Sequence, residues 1–153
     1  MKLLRVGPLG KEKVCALDNQ NKIRDLSSHV NDLNPSTLTL SNLTSWAKID
    51  LEKLPEINNN LRIGSCINKP SNILCIGLNY SLHAKQTGSK LPKYPIVFNK
   101  SPDCLQGPYD PIKKRKTQEK LDYEVELALV IGKEAKNVSE ASALDYVFGF
   151  FIL

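Results

Sequence analysis

Two carboxylates separated by a single residue are the part of this sequence best suited to do chemistry. Glu124 and Glu126 belong to the run DYEVELALVI, which starts at residue 122 and is followed by Gly132. Its β-branched and large apolar residues predict a strand over residues 121–131, and residues two apart in a strand project from the same face. Adjacent carboxylates repel each other, and a hard divalent cation removes that conflict by binding both. The pair predicts a site for Mg²⁺, Mn²⁺ or Ca²⁺, the alternative being the solvent-facing side of an edge strand.

A histidine on a short predicted helix is the second candidate. Residues 72–88 read NILCIGLNYSLHAKQTG. Residues 73–76 predict a short buried strand, after which Asn79 is predicted to cap a helical turn that contains His83 and that Gly88 ends. Histidine titrates near neutral pH, so it can both take and give a proton. Considered by itself, His83 is more typical of an exposed helix residue.

Length and composition limit the class of protein. With 153 residues, 41% hydrophobic and 24% charged, the chain is typical of one globular domain, or of one with a small appendage. No apolar run approaches the roughly 20 residues that span a bilayer, and the N-terminus lacks the apolar core of a secretory signal, so no membrane partner is expected. The four cysteines are scattered without a Cys-x-x-Cys pair, which favours reduced thiols in the cytoplasm.

The positive charge is concentrated in one predicted loop. The net charge is +5, and much of it comes from the run KKRK at residues 113–116, with Lys120 close behind. Such a run can bind the phosphates of nucleic acid. It contains no aromatic residue that could stack on a base, so a solvated loop is the expected role and no nucleic acid partner is expected.

The first third of the sequence predicts a small domain of strands and one helix. Strands are predicted over residues 3–6, 14–17 and 22–26, the last two forming a hairpin around a turn at 18–21. Apolar residues then recur three and four apart, which predicts one amphipathic helix that Pro55 ends; they are Leu40, Leu43, Ala47, Leu51 and Leu54. Trp46 is expected to pack in this domain, which is predicted over residues 1–58 and is followed by a linker at 59–71.

From residue 72 onward strands dominate. They are predicted over residues 73–76, 96–98, 121–131 and 146–153, and Ser139 is predicted to cap a short helix that continues to Leu144. Residues 88–95 and 101–120 are predicted loops, where binding groups collect, and Asp110 is interpreted there as a turn residue. The predicted fold class is mainly β with short helices, an α+β fold.

The order and spacing of these segments resemble the fumarylacetoacetate hydrolase family from about residue 70 to the end. The matching segments are GLNY at 77–80 with His83, PIVFNK at 95–100, GP at 107–108 with DPI at 110–112, DYEVEL at 122–127 and ALDYVFG at 143–149. Residues 1–54 resemble the small N-terminal domain of the bacterial branch labelled ureidoglycolate lyase or 2-hydroxyhepta-2,4-diene-1,7-dioate isomerase. The resemblance implies that residues 72–153 are the N-terminal part of the family's β-roll, a partial catalytic domain.

The resemblance also implies a reaction type. Glu124 and Glu126 would bind Mg²⁺, or Mn²⁺ or Ca²⁺, and the ion would chelate a small 2-oxo or 1,3-dioxo carboxylic acid, or ureidoglycolate, and stabilise an enolate. His83 would activate water or move protons. Lys100 would neutralise the substrate carboxylate, the alternative being a surface lysine, and Tyr80 would pack or form a hydrogen bond beside the metal. This describes a cytoplasmic hydrolase, lyase or isomerase that is a homodimer in its full-length form.

Two departures from the family pattern limit that expectation. The family commonly places a glutamate three residues after the histidine, where this chain has Gln86, and an amide cannot stabilise an imidazolium as a carboxylate does. The pair His83 and Gln86 is therefore predicted to be a weakened base. The family's third metal carboxylate follows the segment equivalent to 148–150, and the sequence stops at Leu153. We therefore expect a C-terminally truncated chain, for which a catalytically inactive fragment or a small basic binding protein is the alternative.

Overall fold

The computed structural model describes residues 1–153, and the fold class is the predicted one, mainly β with a few short helices. Seven strands form a three-stranded sheet and two separate two-stranded sheets. The chain divides into two compact units, Met1–Asn68 with Gln106–Leu153, and Lys69–Leu105. The predicted domain boundaries at residues 58 and 71 stay a prediction. None of the helices has the length and apolar character that crossing a bilayer requires.

The first unit begins with a sheet of three antiparallel strands in the order β1-β2-β3. Their bounds are Lys2–Val6 (β1), Lys13–Leu17 (β2) and Ile23–Asp25 (β3). The predicted hairpin between β2 and β3 is confirmed. Its turn is held by Asp18, whose carboxylate accepts hydrogen bonds from the backbone amides of Gln20 at 2.8 Å and Lys22 at 2.9 Å, the behaviour that makes aspartate common in turns.

One apolar core joins this sheet to a helix and to the last strand of the chain. Helix α1 spans Leu40–Trp46, and the Trp46 ring meets the Phe148 ring edge-on, with centroids 6.0 Å apart. Each buried aliphatic or aromatic side chain of such a core contributes about 1.5–3 kcal/mol relative to exposure. The buried members are Val14, Ala16, Leu26, Val30, Leu33, Leu38, Trp46 and Phe148.

The predicted helix over residues 40–54 is wrong in extent. Helix α1 ends at Trp46, and only a 3₁₀ turn at Leu51–Lys53 follows it. The hydroxyls of Thr44 and Ser45 donate to the carbonyl oxygens four residues earlier, at 3.0 and 3.1 Å. Serine and threonine that bond the backbone in this way are weak helix formers. The helix therefore ends at Trp46, although the helical spacing of apolar residues continues to Leu54.

The last two strands form an antiparallel hairpin. Strand β6 spans Leu127–Ile131 and β7 spans Val147–Ile152, with Leu127 opposite Ile152 and an irregularity between Val130 and Ile131. The connection contains a 3₁₀ helix at Glu140–Tyr146. The predicted helix is thus of a tighter type, and it receives no capping bond from the Ser139 side chain, which pairs instead with the Ser142 hydroxyl at 2.7 Å.

The predicted strand over residues 121–131 is correct only in its second half. Strand β6 starts at Leu127, and residues 122–126 are not assigned to a strand. Two backbone hydrogen bonds, at 3.0 and 2.9 Å, still join Glu126 to Leu153. Residues 122–125 have no strand beside them in the structure, and an extended segment needs a neighbour to satisfy its backbone groups. Apolar alternation alone does not supply that neighbour.

The second unit is a hairpin with a short helix. The predicted strands β4 (Ile73–Gly77) and β5 (Ile96–Lys100) are present, and they pair antiparallel. The prediction that residues 73–76 are buried is wrong, since Leu74 is 69% exposed. Helix α2 spans Ser81–Gln86 and ends before Gly88, which adopts a φ of 67° as expected of a glycine after a helix.

The predicted cap of α2 is wrong, and a further short helical turn follows β5. The N-cap of α2 is Tyr80 rather than Asn79, and no side chain caps the helix. Leu78 has a φ of 51°, so the chain turns at that residue and the helix starts later than predicted. A 3₁₀ turn at Pro102–Cys104 comes after β5.

Candidate metal and proton-transfer site

The two carboxylates of the predicted metal site lie at the open end of the β6–β7 hairpin. Glu126 is half-buried, and Glu124 is exposed two residues before it. Glu126 continues the row of Ala128 and Val130, which are half-buried, whereas Leu127 and Leu129 on the other face are exposed. Neither glutamate forms a salt bridge with a cationic side chain. Their oxygens are therefore available to bind a cation.

The residues present match a hard divalent cation in kind but do not complete its shell. Carboxylate oxygens are the ligands that Mg²⁺ and Mn²⁺ prefer. No group of three or more His, Cys, Asp or Glu side chains in the structure is placed to hold a metal ion. The neighbouring Asp122 accepts a hydrogen bond from the Tyr123 amide at 2.8 Å. Glu124 and Glu126 would thus supply two ligands, and water, substrate or further residues would have to supply the others.

The proton-transfer candidates lie on helix α2. His83 and Gln86 are three residues apart, which places them on one side of the helix, and both are exposed, while Ala84 faces inward. No hydrogen bond joins the two side chains. The backbone carbonyl of His83 accepts hydrogen bonds from the Thr87 amide at 3.0 Å and the Thr87 hydroxyl at 3.1 Å. The helix therefore fixes the backbone of His83, and the imidazole is free to meet a substrate.

The remaining predicted contacts lie in the same unit as His83. Tyr80 is the N-cap residue of α2, and Lys100 is the last residue of β5, opposite Ile73. A cleft of about 270 Å³ lies beside the turn after β4, with Asn79 and Lys93 in its wall. The Glu124 and Glu126 pair belongs to the other unit. That the two groups of residues form one site stays a prediction.

A chain of ion pairs in the first unit was not predicted from the sequence. The Arg5 side chain, on β1, donates to the carboxylates of Asp32 at 2.6 Å and Glu12 at 3.3 Å. Arg5 is 6% exposed and the Glu12 side chain 3%. Burial raises the pKa of the Glu12 carboxyl, but the hydrogen bond from Arg62 and the charge of Arg5 outweigh it, so this pKa lies below its ordinary value.

Arg62 extends the chain of ion pairs to the segment that precedes the acidic residues. Its guanidinium donates to both oxygens of Asp110, at 2.8 and 2.6 Å, and to Glu12 at 2.7 Å. The hydrogen bond from Arg62 holds the pKa of Asp110 below its ordinary value. Asp110 also accepts from the Gly107 amide at 2.8 Å. The predicted turn is present, because the Asp110 amide donates to the Gly107 carbonyl at 3.1 Å. The ion pair between Arg62 and Asp110 was not predicted from the sequence and is seen only in the structure.

Comparison with known families identifies the family of this chain. Residues 72–153 match the sequence model of the family described as Fumarylacetoacetate (FAA) hydrolase C-terminal. The chain belongs to the fumarylacetoacetate hydrolase family. The match includes all the predicted site residues, from Tyr80 and His83 through Lys100 to Glu124 and Glu126.

Curated relatives match the whole chain. A protein of Burkholderia ambifaria is 46% identical over 153 residues, which is 100% of this chain and 54% of the relative. A protein of Burkholderia multivorans is 44% identical with the same coverage. Both are named in general terms as hydrolases, without a substrate. The chain spans about half the length of the curated relatives it matches.

Solved structures show the same fold. The fumarylacetoacetate hydrolase of the psychrophile Exiguobacterium antarcticum is 28% identical with a TM-score of 0.77, over 99% of this chain and 54% of that one. An uncharacterized protein of Mycobacterium abscessus is 23% identical with a TM-score of 0.69, over 99% of this chain and 54% of that one. The second likeness shows the fold alone. The assignment to the ureidoglycolate lyase or isomerase branch stays a prediction.

Proposed function

We propose that this chain supplies the metal carboxylates and the proton-transfer residues of a divalent-metal-dependent enzyme. Its substrate is a small 2-oxo or 1,3-dioxo carboxylic acid, or ureidoglycolate. The observation that supports the proposal is the pair Glu124 and Glu126, which lies in the family-matched region and forms no salt bridge with a cationic side chain. Two carboxylates that the fold leaves unpaired cost stability by repulsion, and a cation that both bind removes that cost.

Each residue has a distinct role in the proposal. Glu124 and Glu126 hold the cation, which supplies Lewis-acid catalysis at a substrate oxygen when bound. His83 takes a proton from water or substrate at an imidazole nitrogen and returns it to the product. Gln86, which has no side-chain bond to His83 in the structure, would orient the imidazole by accepting a hydrogen bond through its amide oxygen when substrate binds. Lys100 pairs with the substrate carboxylate, and Tyr80 lies beside the metal.

The reaction is proposed only as a class. Hydrolysis of a carbon–carbon bond, lyase cleavage and isomerisation all place negative charge on an oxygen next to the reacting carbon, so the same residues serve each of them. A homodimer in the full-length form and a cytoplasmic location remain part of the proposal. An inactive fragment is the competing proposal for this chain by itself, because two carboxylates hold Mg²⁺ weakly when the rest of the shell is water.

The first prediction concerns metal binding. We expect Mn²⁺ to broaden the NMR signals of residues near Glu124 and Glu126 in the 153-residue chain. An extended form of the chain, which carries the remaining part of the Burkholderia ambifaria relative at its C-terminus, should bind Mn²⁺ more tightly, because further ligands would complete the shell. Glu126→Gln should abolish the effect in both forms, since the amide keeps the size of the side chain and removes its charge. Titration calorimetry of the extended form gives the affinity.

Glu134→Gln is the control, because Glu134 is exposed like Glu124 and lies just beyond β6. It removes the same charge and should leave Mn²⁺ binding unchanged. Equal loss in both variants would mean that Mn²⁺ responds to net charge alone. Unchanged binding in Glu124→Gln and Glu126→Gln would exclude the proposed metal site. Binding with no turnover of any oxo acid by the extended form would favour the inactive alternative.

The second prediction concerns the weakened base. In the extended form, Gln86→Glu should raise kcat/KM by about tenfold, a small part of what general acid–base groups contribute, because a carboxylate stabilises the imidazolium that an amide cannot. The pH profile of kcat/KM on the best substrate from a panel of 2-oxo and 1,3-dioxo acids measures the effect. Gln106→Glu adds the same charge at an exposed position and should not change the rate. An unchanged rate in Gln86→Glu would place the base elsewhere.

A further inference from the structure

The β6–β7 hairpin rests on the N-terminal core through its inner face. Phe148 of β7 is buried and meets Trp46 of helix α1 edge-on. Val130 of β6 packs against the same core. Gly132, which ends β6, lies so close to α1 that a Cβ atom there would be 3.0 Å from Leu40 Cδ2 and 3.0 Å from Phe148 Cβ. A methyl group at this position requires Leu40 or Phe148 to give way by a few tenths of an ångström.

The outer face of the hairpin has no comparable support in this chain. Leu127, Leu129 and Ile131 of β6 are all about half exposed, as are Phe150 and Ile152 of β7. The packing that fixes the hairpin therefore acts on one face alone. A rigid pair of strands that is held on one face moves as a unit when that contact shifts.

The open end of the same hairpin holds the acidic pair. Glu126 exchanges two backbone hydrogen bonds with Leu153, so its backbone moves with the strands. At the opposite end, the Gly132 amide donates to the Tyr146 carbonyl at 2.8 Å. The hairpin thus connects the contact with α1 to the backbone of Glu126 through the β6–β7 ladder, which has one irregularity, between Val130 and Ile131.

We infer that Trp46 and Leu40 of the N-terminal region are positioning residues for Glu126, acting through Phe148 and Gly132. As far as it concerns the metal ligand, the inference rests on the proposed function. The N-terminal region then has a positioning role that is separate from substrate binding. Helix α1 determines the position of the hairpin, and the hairpin determines the position of the Glu126 carboxylate. A metal site requires its ligands to be held to within a fraction of an ångström.

The test uses two glycines of the same hairpin. Gly132→Ala places a methyl group against Leu40 and Phe148, whereas Gly149→Ala, opposite Val130 in the ladder, meets nothing within 4 Å. Both variants make the same chemical change. Amide hydrogen exchange of Glu126 and Leu153, read by NMR without metal, reports the ladder at the open end, and the Leu26 amide, bonded to the Val14 carbonyl at 2.9 Å, reports the N-terminal sheet.

We expect Gly132→Ala to speed the exchange of the Glu126 and Leu153 amides by about tenfold or more, the order expected from overpacking a core contact. The Leu26 amide should keep its rate, and Gly149→Ala should resemble the parent chain. Trp46→Phe, a milder change that keeps an aromatic ring, should give a smaller effect in the same direction. Unchanged exchange at Glu126 and Leu153 in Gly132→Ala and Trp46→Phe would overturn the inference, as would equal acceleration at Leu26.

Mn²⁺ separates this inference from the proposed function. If Mn²⁺ broadens the NMR signals near Glu124 and Glu126 in the parent chain, the Gly132→Ala variant should need about tenfold more Mn²⁺ for the same broadening. The Gly149→Ala variant should need no more than the parent chain. If the parent chain shows no broadening, the metal proposal fails, while the exchange rates still decide whether α1 holds the hairpin. Broadening that is equal in all variants despite faster exchange would contradict the role of α1 in positioning the ligand.

Discussion

Replacing Arg5 with methionine should lower the free energy of unfolding by about 3 kcal/mol, the lower end of what removing one partner of a buried ion pair costs. Methionine fills much of the volume of the arginine stem but removes one charged donor from each of two carboxylates, of which Asp32 keeps its bond from Asn68 at 2.6 Å. Asp32 loses a hydrogen bond of 2.6 Å, and Glu12, whose side chain is 3% exposed, loses one of 3.3 Å. Arg62 alone then balances Glu12. Urea unfolding of the 153-residue chain measures the change.

Lys13→Met is the control for this prediction. It removes a cationic side chain from the same sheet, and its ion pair with Asp25, at 3.0 Å, involves a lysine side chain that is 60% exposed. Exposed pairs contribute little, because water and salt screen them, so the loss should be a small fraction of that in Arg5→Met. Equal losses in the two variants would show that the Arg5 pairs act as surface pairs. Adding Asp32→Asn to Arg5→Met should cost less than the sum of the two single changes.

Local pairing explains which parts of the fold can be predicted from the sequence. The hairpin of β2 and β3 follows from a turn-forming Asp18 between two apolar runs. Strands β4 and β5 follow from short apolar runs bounded by loop residues. Prediction of a strand fails where the segment needs a neighbouring strand that its own sequence does not specify. Residues 122–125 have strand-like alternation but lie beyond the ladder, which ends with Glu126 and Leu153.

The sequence singles out candidate site residues but does not predict their surroundings. Glu124, Glu126 and His83 stand out because their residue types and spacing suit metal binding and proton transfer. The ion pairs of Arg5, Glu12 and Arg62 have no such signal, because isolated charged residues are typical of a surface. Their burial depends on pairing over long separations: Arg62 and Asp110 are 48 residues apart.

Gly107→Ala is expected to give the second large loss of stability, about 3 kcal/mol, at the upper end of the usual cost of overpacking. A Cβ atom at this position would clash with the Ile63 carbonyl oxygen and would lie 2.8 Å from a carboxylate oxygen of Asp110. The Ile63 oxygen belongs to the backbone and cannot rotate away as a side chain would. Relief of the clash must move either the segment at 107–110 or the one at 62–64.

Both movements break the same contacts, because the Gly107 amide and the Arg62 guanidinium bind one carboxylate, that of Asp110, at 2.8 and 2.6 Å. Gly107→Ala is therefore expected to lower the free energy of unfolding measured in urea. Gly149→Ala, which meets no atom within 4 Å, should be neutral or slightly stabilising, since alanine restricts the unfolded chain. Asp110→Asn should remove most of the additional cost of Gly107→Ala that arises from the broken ion pair. Stability of Gly107→Ala equal to that of Gly149→Ala would mean that the loop moves freely and that Arg62 does not hold it.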